Sequence, residues 1–322
     1  MIRAFAEEGG RLVRRDMPSD GLAGIVWLDL VAPSPEEIAR VEAALGLDVP
    51  SWEEMQEIEL SARLYHEDGA IYMTANLTSQ TESSTPEFEP VSFILSGERL
   101  VSVRHHEPVP FDTFTQRAAA TPLGCSTGMV VLIGLLESII ARVADNLERC
   151  GREIDGITRE VFDQDKKSSR DRGLQHIIVE IGRVADLMSD IRGSLMSLER
   201  LIAFLTQAGR ERNFGREVKN RIRTLDRDAR SLGTHTGFLS EKTEFLLNAT
   251  LGLVGVEQSG IIKIFSVVAV VFLPPTLIAS IYGMNFRVMP ELDWAFGYPM
   301  ALGMMVVSAI LPYLYFKLRG WL

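Results

Sequence analysis

Two long apolar runs sit near the C-terminal end of the chain. The first, Ile264 to Ile281, holds no charged residue, and the second spans Gly297 to Phe316. Each is roughly 18–20 residues, about what an α-helix needs to cross a ~30 Å hydrocarbon core. A polar stretch from Phe286 to Phe296 separates them. Upstream of both runs, apolar and charged positions are mixed as in water-soluble elements.

Residues 1 to about 120 mix short strands and helices. Gly24 to Leu30 is strand-like, with Ile25-Val26-Trp27 as an apolar run before Asp29. Ala70–Leu77, Pro90–Leu95 and Leu100–Val103 predict further strands, and Asp68-Gly69 and Ser96-Gly97 supply turns. Ser34-Pro35-Glu36-Glu37 reads as a capping box: Ser34 caps, Pro35 takes the first helical position and Glu37 reaches back. From about Ser126 onward the pattern is helical, and three long helices are expected at roughly 126–165, 169–208 and 212–284. In the third, Leu225, Leu232, Leu239, Leu246 and Leu253 recur every seven residues, with Phe238 and Phe245 expected on the same seam. Such a heptad predicts coiled-coil packing. At ~1.5 Å per residue, a helix of about 70 residues is on the order of 100 Å long. It is expected to form a stalk running into the first span, with partner chains burying part of it.

A second stripe on the same helix is offset from the leucines. Ser259, Ser266, Leu273 and Ser280 are seven apart, with Gly255, Ile262, Ala269 and Thr276 between them. Two readings stand side by side. Small residues let membrane helices approach closely, and small or hydroxylated side chains along one face can also border water. Asn285 lies near the same stripe, which favours the second. Lys263 is expected to snorkel to the interface. Pro274-Pro275 removes two backbone donors and is expected to kink or break the span.

Charge sets the orientation. Lys263 lies at one end of the first span, and Lys317 and Arg319 follow the second, whereas the connecting loop sets Arg287 against Glu291 and Asp293. Positive charge stays on the untranslocated side, so both termini are expected in the cytoplasm and the protein in the inner or plasma membrane. Tyr282, Trp294, Phe296 and Tyr298 are expected at the outer interface, and Tyr313, Tyr315, Phe316 and Trp321 at the inner one. The segment Met1–Glu8 has no apolar stretch of signal-peptide type. A net charge of -10 argues against nucleic acid and suits a surface that accumulates cations. Cys125 and Cys150 are too few for a disulfide framework and are expected as small buried thiols. No phosphate-binding glycine loop or nucleophile elbow stands in the first 120 residues, and His105 and His106, being adjacent, are expected to point to opposite faces. No enzymatic activity is expected.

The tetrapeptide Tyr282-Gly283-Met284-Asn285 closes the first apolar run. Around it, Lys263-Ile264-Phe265-Ser266 opens the span, Phe272-Leu273-Pro274-Pro275-Thr276 interrupts it, and Met289-Pro290-Glu291-Leu292 follows. Gly297-Tyr298-Pro299 opens the second span, and Trp321-Leu322 comes last. In this arrangement the chain resembles the CorA family of divalent-cation channels, strongly from about Glu257 and more loosely before it. The reading is thus an α+β cytoplasmic domain over residues 1–120 and long stalk helices over 121–260. A pore-lining first span over 261–284, a loop over 285–296, a second span over 297–317 and a tail over 318–322 complete it.

The resemblance implies a funnel-shaped homopentamer and inward transport of Mg²⁺, with Co²⁺ and sometimes Ni²⁺ accepted, and no organic cofactor. It assigns Gly283, Met284 and Asn285 to the selectivity filter. Asn248, Ser259, Ile262, Ser266, Ala269, Leu273, Thr276 and Ser280 are the corresponding pore-lining candidates, and Glu291 and Asp293 would concentrate cations at the outer mouth. Neither span holds an acidic residue, which suits an ion that dehydrates reluctantly: ringed Asn285 carboxamides can accept hydrogen bonds from the waters of Mg²⁺. Many members carry Asn at the position of Ser259 and Asp at that of Asn248, so the inner pore departs from the family pattern. Asp226 and Asp228 are candidates for a regulatory Mg²⁺ site, or for charges paired with Arg223, Arg227 or Arg230. A related branch that transports zinc, a membrane-tethered scaffold and an enzyme are the alternatives, and the intact Gly-Met-Asn speaks against the first.

Overall fold

In the computed structural model, which describes residues 1–16, 22–83, 86–162, 173–212, 214–285 and 289–320, the N-terminal residues fold as a hairpin. Strands β1 (Ile2–Glu8) and β2 (Arg11–Arg15) pair Glu8 with Arg11 across Gly9-Gly10. Both glycines have positive φ, 61° and 82°, the backbone a two-residue hairpin turn requires. The sequence reading did not anticipate this hairpin, although its Gly-Gly is a recognised turn signal. Five further strands follow: β3 (Ile25–Val31), β4 (Leu64–Glu67), β5 (Ala70–Ser79), β6 (Glu87–Ser96) and β7 (Arg99–Arg104). They form one seven-stranded sheet in the order β2-β1-β3-β7-β6-β5-β4. Every pairing is antiparallel except β3 with β7. The strands expected from Gly24, Ala70, Pro90 and Leu100 are β3, β5, β6 and β7.

The chain divides into two compact units, Met1–Leu246 and Leu247–Leu322. In the first, α1 (Pro35–Leu45), α2 (Trp52–Gln56) and α3 (Leu60–Arg63) lie between β3 and β4 in the chain. Ser34 and Glu37 form the expected capping box, and Ser51 and Glu54 form a second. One face of the sheet packs Leu28, Leu30, Ile94 and Val101 against Val41 and Met55. The other packs Trp27, Met73 and Phe93 against the long helices. These are α4 (Val109–Ala120), α5 (Gly128–Phe162), α6 (Leu174–Glu211) and α7 (Arg216–Tyr282). A single core therefore runs from the sheet through residues of α4, α5, α6 and α7. Of the three long helices expected, the stretch between the first two lies outside the described residues.

Two expectations about α7 are corrected. Leu225, Leu239 and Leu246 are buried, but Phe238 and Phe245 are 60% and 63% exposed and do not share their seam. At about 100° per residue, a position thirteen beyond Leu225 lies about 220° round the helix. The positions that do face inward between the leucines are small: Ala229, Thr236 and Thr243 are all buried. The hydroxyls of Thr236 and Thr243 donate to the carbonyls of Leu232 and Leu239, each at 2.8 Å, so their burial leaves no unmet donor. The second correction concerns what covers the seam. The chain buries it itself through Leu246: Ile222 and Leu225 join the core of α5 and α6, and Thr243 meets Met188 of α6. Leu253, the last leucine of the repeat, is left 37% exposed.

In the second unit, α7 continues without interruption through Pro274-Pro275 to Tyr282, so the expected break does not occur. A short 3₁₀ turn (Pro290–Leu292) and α8 (Gly297–Leu318) complete it. The C-terminal part of α7 and all of α8 are long and apolar enough to cross a membrane. Trp321 and Leu322 lie outside the described residues.

Candidate functional site

Three faces of α7 are distinguishable beyond Gly260. Its less exposed positions are Lys263, Val267, Val271, Pro274, Pro275, Ile278 and Tyr282, mostly spaced by three or four and hence on one side. The matching stripe on α8 is Gly297, Ala301, Met305, Ser308, Pro312 and Phe316. Val267, Gly297 and Ala301 are buried outright. The small residues that permit close helix approach are thus on α8, in Gly297, Ala301 and Ser308. A second face of α7 carries bulky exposed side chains, Phe265, Val268 and Phe272 among them.

The third face is the stripe picked out in the sequence. Ser259, Ile262, Ser266, Ala269, Leu273, Thr276 and Ser280 are all exposed, as is Asn248. At about 100° per residue, the seven fall within roughly a 100° arc, on the side away from the covered positions. Packing against α8 therefore does not account for their small size. The hydroxyls of Ser266 and Thr276 donate to the carbonyls of Ile262 and Phe272 at 2.8 Å, which keeps lone pairs of both oxygens turned outward.

Gly283 and Met284 close the helix. Their N–H groups donate to Ala279 and Ile281 carbonyls at 2.9 and 3.2 Å, the second reaching only three residues back, as in a tightened last turn. A methyl group at Gly283 would stand 3.0 Å from the Ala279 oxygen of the same helix. Met284 and Asn285 are exposed beyond it. Phe286 and Arg287 lie outside the described residues. Glu291 and Asp293 are exposed, and Trp294 meets Phe296 edge-on at 6.1 Å. Gly297 proves more constrained than the sequence suggests: an added Cβ would sit 2.1 Å from the Glu291 carbonyl oxygen. The Pro290–Leu292 turn thereby lies close against the start of α8, and the Gly297 N–H donates to the Trp294 carbonyl at 2.8 Å.

The regulatory candidates are not brought together. Asp226 pairs with Arg230 at 3.1 Å and Asp228 with Arg227 at 3.7 Å. Two residues apart on a helix, they face different ways. Asp228 lines a cleft with Arg221 and Glu137, whose side chains form a bidentate ion pair at 2.8 and 2.9 Å. Among the described residues no cluster of three or more His, Cys, Asp or Glu side chains is poised for a metal.

The sequence reading overlooked a polar network inside the sheet. Asp29 stands opposite Ser102 in the β3–β7 pair, and Arg104, two positions further along β7, bonds its carboxylate twice, at 2.9 and 3.1 Å, with both side chains almost fully buried. Ser102 donates to Asp29 at 2.8 Å and accepts from the Trp27 indole at 2.9 Å. Arg104 also donates to the His106 carbonyl and lies over the Phe111 ring. The two histidines diverge as expected: His105 is exposed beside Trp52, and His106 is buried with Nε2 3.1 Å from the Leu77 carbonyl. Burial, aided by the Arg104 charge, pushes the His106 imidazole down to about 4. Cys125 and Cys150 are buried free thiols, and burial drives Cys150 up to about 11.

The family described as CorA-like Mg2+ transporter protein matches residues 23–318. The magnesium transport protein CorA of Pasteurella multocida is 36% identical over 323 residues, covering 100% of both chains. That of Haemophilus ducreyi is 37% identical over 325 residues with the same coverage. Among solved structures, the complete CorA magnesium transporter from Methanocaldococcus jannaschii aligns with a TM-score of 0.77. It covers 100% of this chain and 99% of that one at 16% identity, a likeness of fold.

Proposed function

The chain belongs to the CorA-like Mg2+ transporter family, and from that premise we propose that it is a channel for hydrated divalent cations. It carries Mg²⁺ inward down the electrochemical gradient, with Co²⁺ and Ni²⁺ as further cargo. The observation that carries this reading is the exposed stripe of α7 from Ser259 to Ser280, small or hydroxylated except at Ile262 and Leu273, which leads to an exposed Asn285. Copies of the chain, five in the proposal, set these stripes around a common axis with both termini in the cytoplasm. Ringed Asn285 carboxamides accept hydrogen bonds from the waters of the ion, so no dehydration is required. Gly283 and Met284 shape the turn that holds them, and Glu291 and Asp293 raise the local cation concentration. The membrane potential supplies the drive: at ~2.3 kcal/mol per charge per 100 mV, a divalent ion gains about 4.6. Cytosolic Mg²⁺ closes the channel by binding its closed form more tightly, with Asp226 and Asp228 as the candidate ligands, one of which faces the neighbouring copy.

Reconstitution in liposomes tests this directly. Purified protein should admit Mg²⁺, Co²⁺ and Ni²⁺ when each is supplied outside under an inward-negative potential. Protein that leaves all three gradients intact overturns the reading.

A further inference from the structure

The first unit leaves two apolar surfaces uncovered. One is a groove of about 270 Å³ lined by α3, β5 and α6 and the residues before α3. Ile58, Leu60 and Met196 border it, at 88%, 49% and 48% exposure. Its charged lining residues are two cations, Arg63 and Arg200, and no carboxylate lines it among the described residues. Arg63 is fixed by donating to Asn76 Oδ1 at 3.0 Å and to the Glu57 carbonyl. Burial and the neighbouring Arg200 charge together lower the Arg63 guanidinium from its ordinary value, so this pocket of positive charge wants an anion.

The other surface is the outward face of α7. Phe238 and Phe245 are exposed there, with the exposed Glu241 between them. Positions three and four apart on a helix share a face, so the three side chains form one strip: aromatic, carboxylate, aromatic. Among the described residues Glu241 has no ion-pair partner within 4 Å, and neither has Arg200.

We propose that these surfaces meet between neighbouring copies of the chain, the Phe238–Glu241–Phe245 strip of one seating in the Arg63–Arg200 groove of the next. The two patterns complement each other: a carboxylate flanked by rings meets two guanidinium groups flanked by aliphatic side chains. A chain of net charge -10 otherwise repels its own copies, and an apolar groove with only positive lining charge is suited to receive an acidic one. Because the two surfaces differ, the contact is heterologous, the kind that closes into a ring when its rotation permits. This inference rests on the reading of the protein as an oligomeric channel and adds to it the contact made outside the membrane-spanning helices.

The test is a charge swap in the full-length protein, its mass followed by light scattering in detergent across a dilution series. Glu241→Arg and Arg200→Glu should each raise the concentration at which the oligomer dissociates by about tenfold or more. The double variant, which restores opposite charges, should return to within about threefold of the wild type. Single variants that dissociate like the wild type overturn the proposal, as does a double variant no better than its weaker parent. Both residues are exposed, and recovery in the double variant separates a lost contact from a lost fold. Liposome flux of the wild type, measured in parallel, keeps the two readings apart. Charge-sensitive assembly without ion flux sinks only the channel, and flux with charge-insensitive assembly sinks only the contact.

Discussion

Leu239 and Leu273 belong to the same helix, yet one is 4% exposed and the other 65%. In the first unit α7 turns its leucines into a core built by its own chain. In the second it turns Phe265, Phe272 and Leu273 outward. Leaving one such side chain in water costs about 1.5–3 kcal/mol, and a whole segment of them is untenable without lipid or neighbours. The polar groups differ in the same way. The first unit buries a charged pair and satisfies it, whereas the second keeps the hydroxyls of Ser266 and Thr276 on the surface, each bonded to a carbonyl of its own helix. One unit draws its stability from within the chain, and the other takes its environment from outside. Variants that act on one unit and spare the other probe this contrast.

The strongest lever on the first unit is Asp29. Asp29→Ala leaves Arg104 buried with no carboxylate and Ser102 without its acceptor, and should cost about 3–5 kcal/mol. The denaturant midpoint of the full-length protein would report it, with an unchanged slope. Asp29→Leu combined with Arg104→Met should recover most of the loss, because removing both charges avoids the unpaired one. A stable single variant would show that the interior of this unit does not depend on the pair.

His106 makes the same unit sensitive to acid. Its folded pKa of about 4 lies below the ordinary 6.5, so the unfolded chain binds a proton that the folded one refuses. Stability is therefore full above 6.5 and falls as the pH drops from 6.5 towards 4, by about 3 kcal/mol in all. Arg104 and His105 oppose the charged form, and Glu87 favours it. Glu89, 3.9 Å from the ring, has its own pKa raised by burial and then by Glu87, which acts in the opposite sense. Comparing His106→Gln with the wild type cancels that contribution. The variant should lose most of the decline between pH 6.5 and 4, and identical profiles would place the acid sensitivity elsewhere.

What the sequence disclosed follows the same division. The two apolar helices of the second unit were legible, because a membrane span is written in composition, and the exposed stripe showed in simple periodicity. The hairpin of β1 and β2 was missed because its pattern is short and charged. Its pairing with β3 is a long-range event that local residues do not announce. The seam of α7 was half legible. The leucine repeat predicted a packed helix correctly, but not that α5 and α6 of the same chain would cover it. Phe238 and Phe245 were drawn into the seam by their hydrophobicity rather than their angle. The Asp29–Arg104 pair was hidden because nothing in the separate stretches around Asp29 and Arg104 says that β3 and β7 lie side by side.

On the second unit the largest effect is expected at Asn285. Asn285→Ala removes the carboxamide that accepts from the hydrated ion. At about 1.5–3 kcal/mol for a hydrogen bond involving a charged group, Mg²⁺ uptake should fall by roughly ten- to a hundredfold or more. Oligomer mass should stay unchanged, since the residue is exposed at the helix end. A smaller but more discriminating effect separates the faces of the span. Ser266→Leu, on the small stripe, should narrow and dry the path and lower uptake about tenfold. Val268→Leu, on the bulky face, should stay within about twofold. Equal effects in liposome flux would mean that the stripe has no special surroundings.

The smallest expected effect lies at Asp226 and Asp228. Exposed charges of this kind are worth about 0.2–1 kcal/mol, so the midpoint for inhibition by internal Mg²⁺ should move by about two- to fivefold. The ion regulates only if it binds the closed form more tightly, since equal affinity shifts no population. The helix geometry adds a sharper condition. Asp226 and Asp228 lie two positions apart and face different ways, the first tied to Arg230 and the second in the cleft beside Glu137 and Arg221. A neighbouring copy approaching from one side meets only one of them. Asp226→Asn and Asp228→Asn should therefore differ: one reproduces the full shift of the double variant, and the other stays near the wild type. Selectivity among Mg²⁺, Co²⁺ and Ni²⁺ should not change in either. Currents titrated with internal Mg²⁺ decide between the two residues, and an unchanged double variant would leave both as solvated charges paired along the helix.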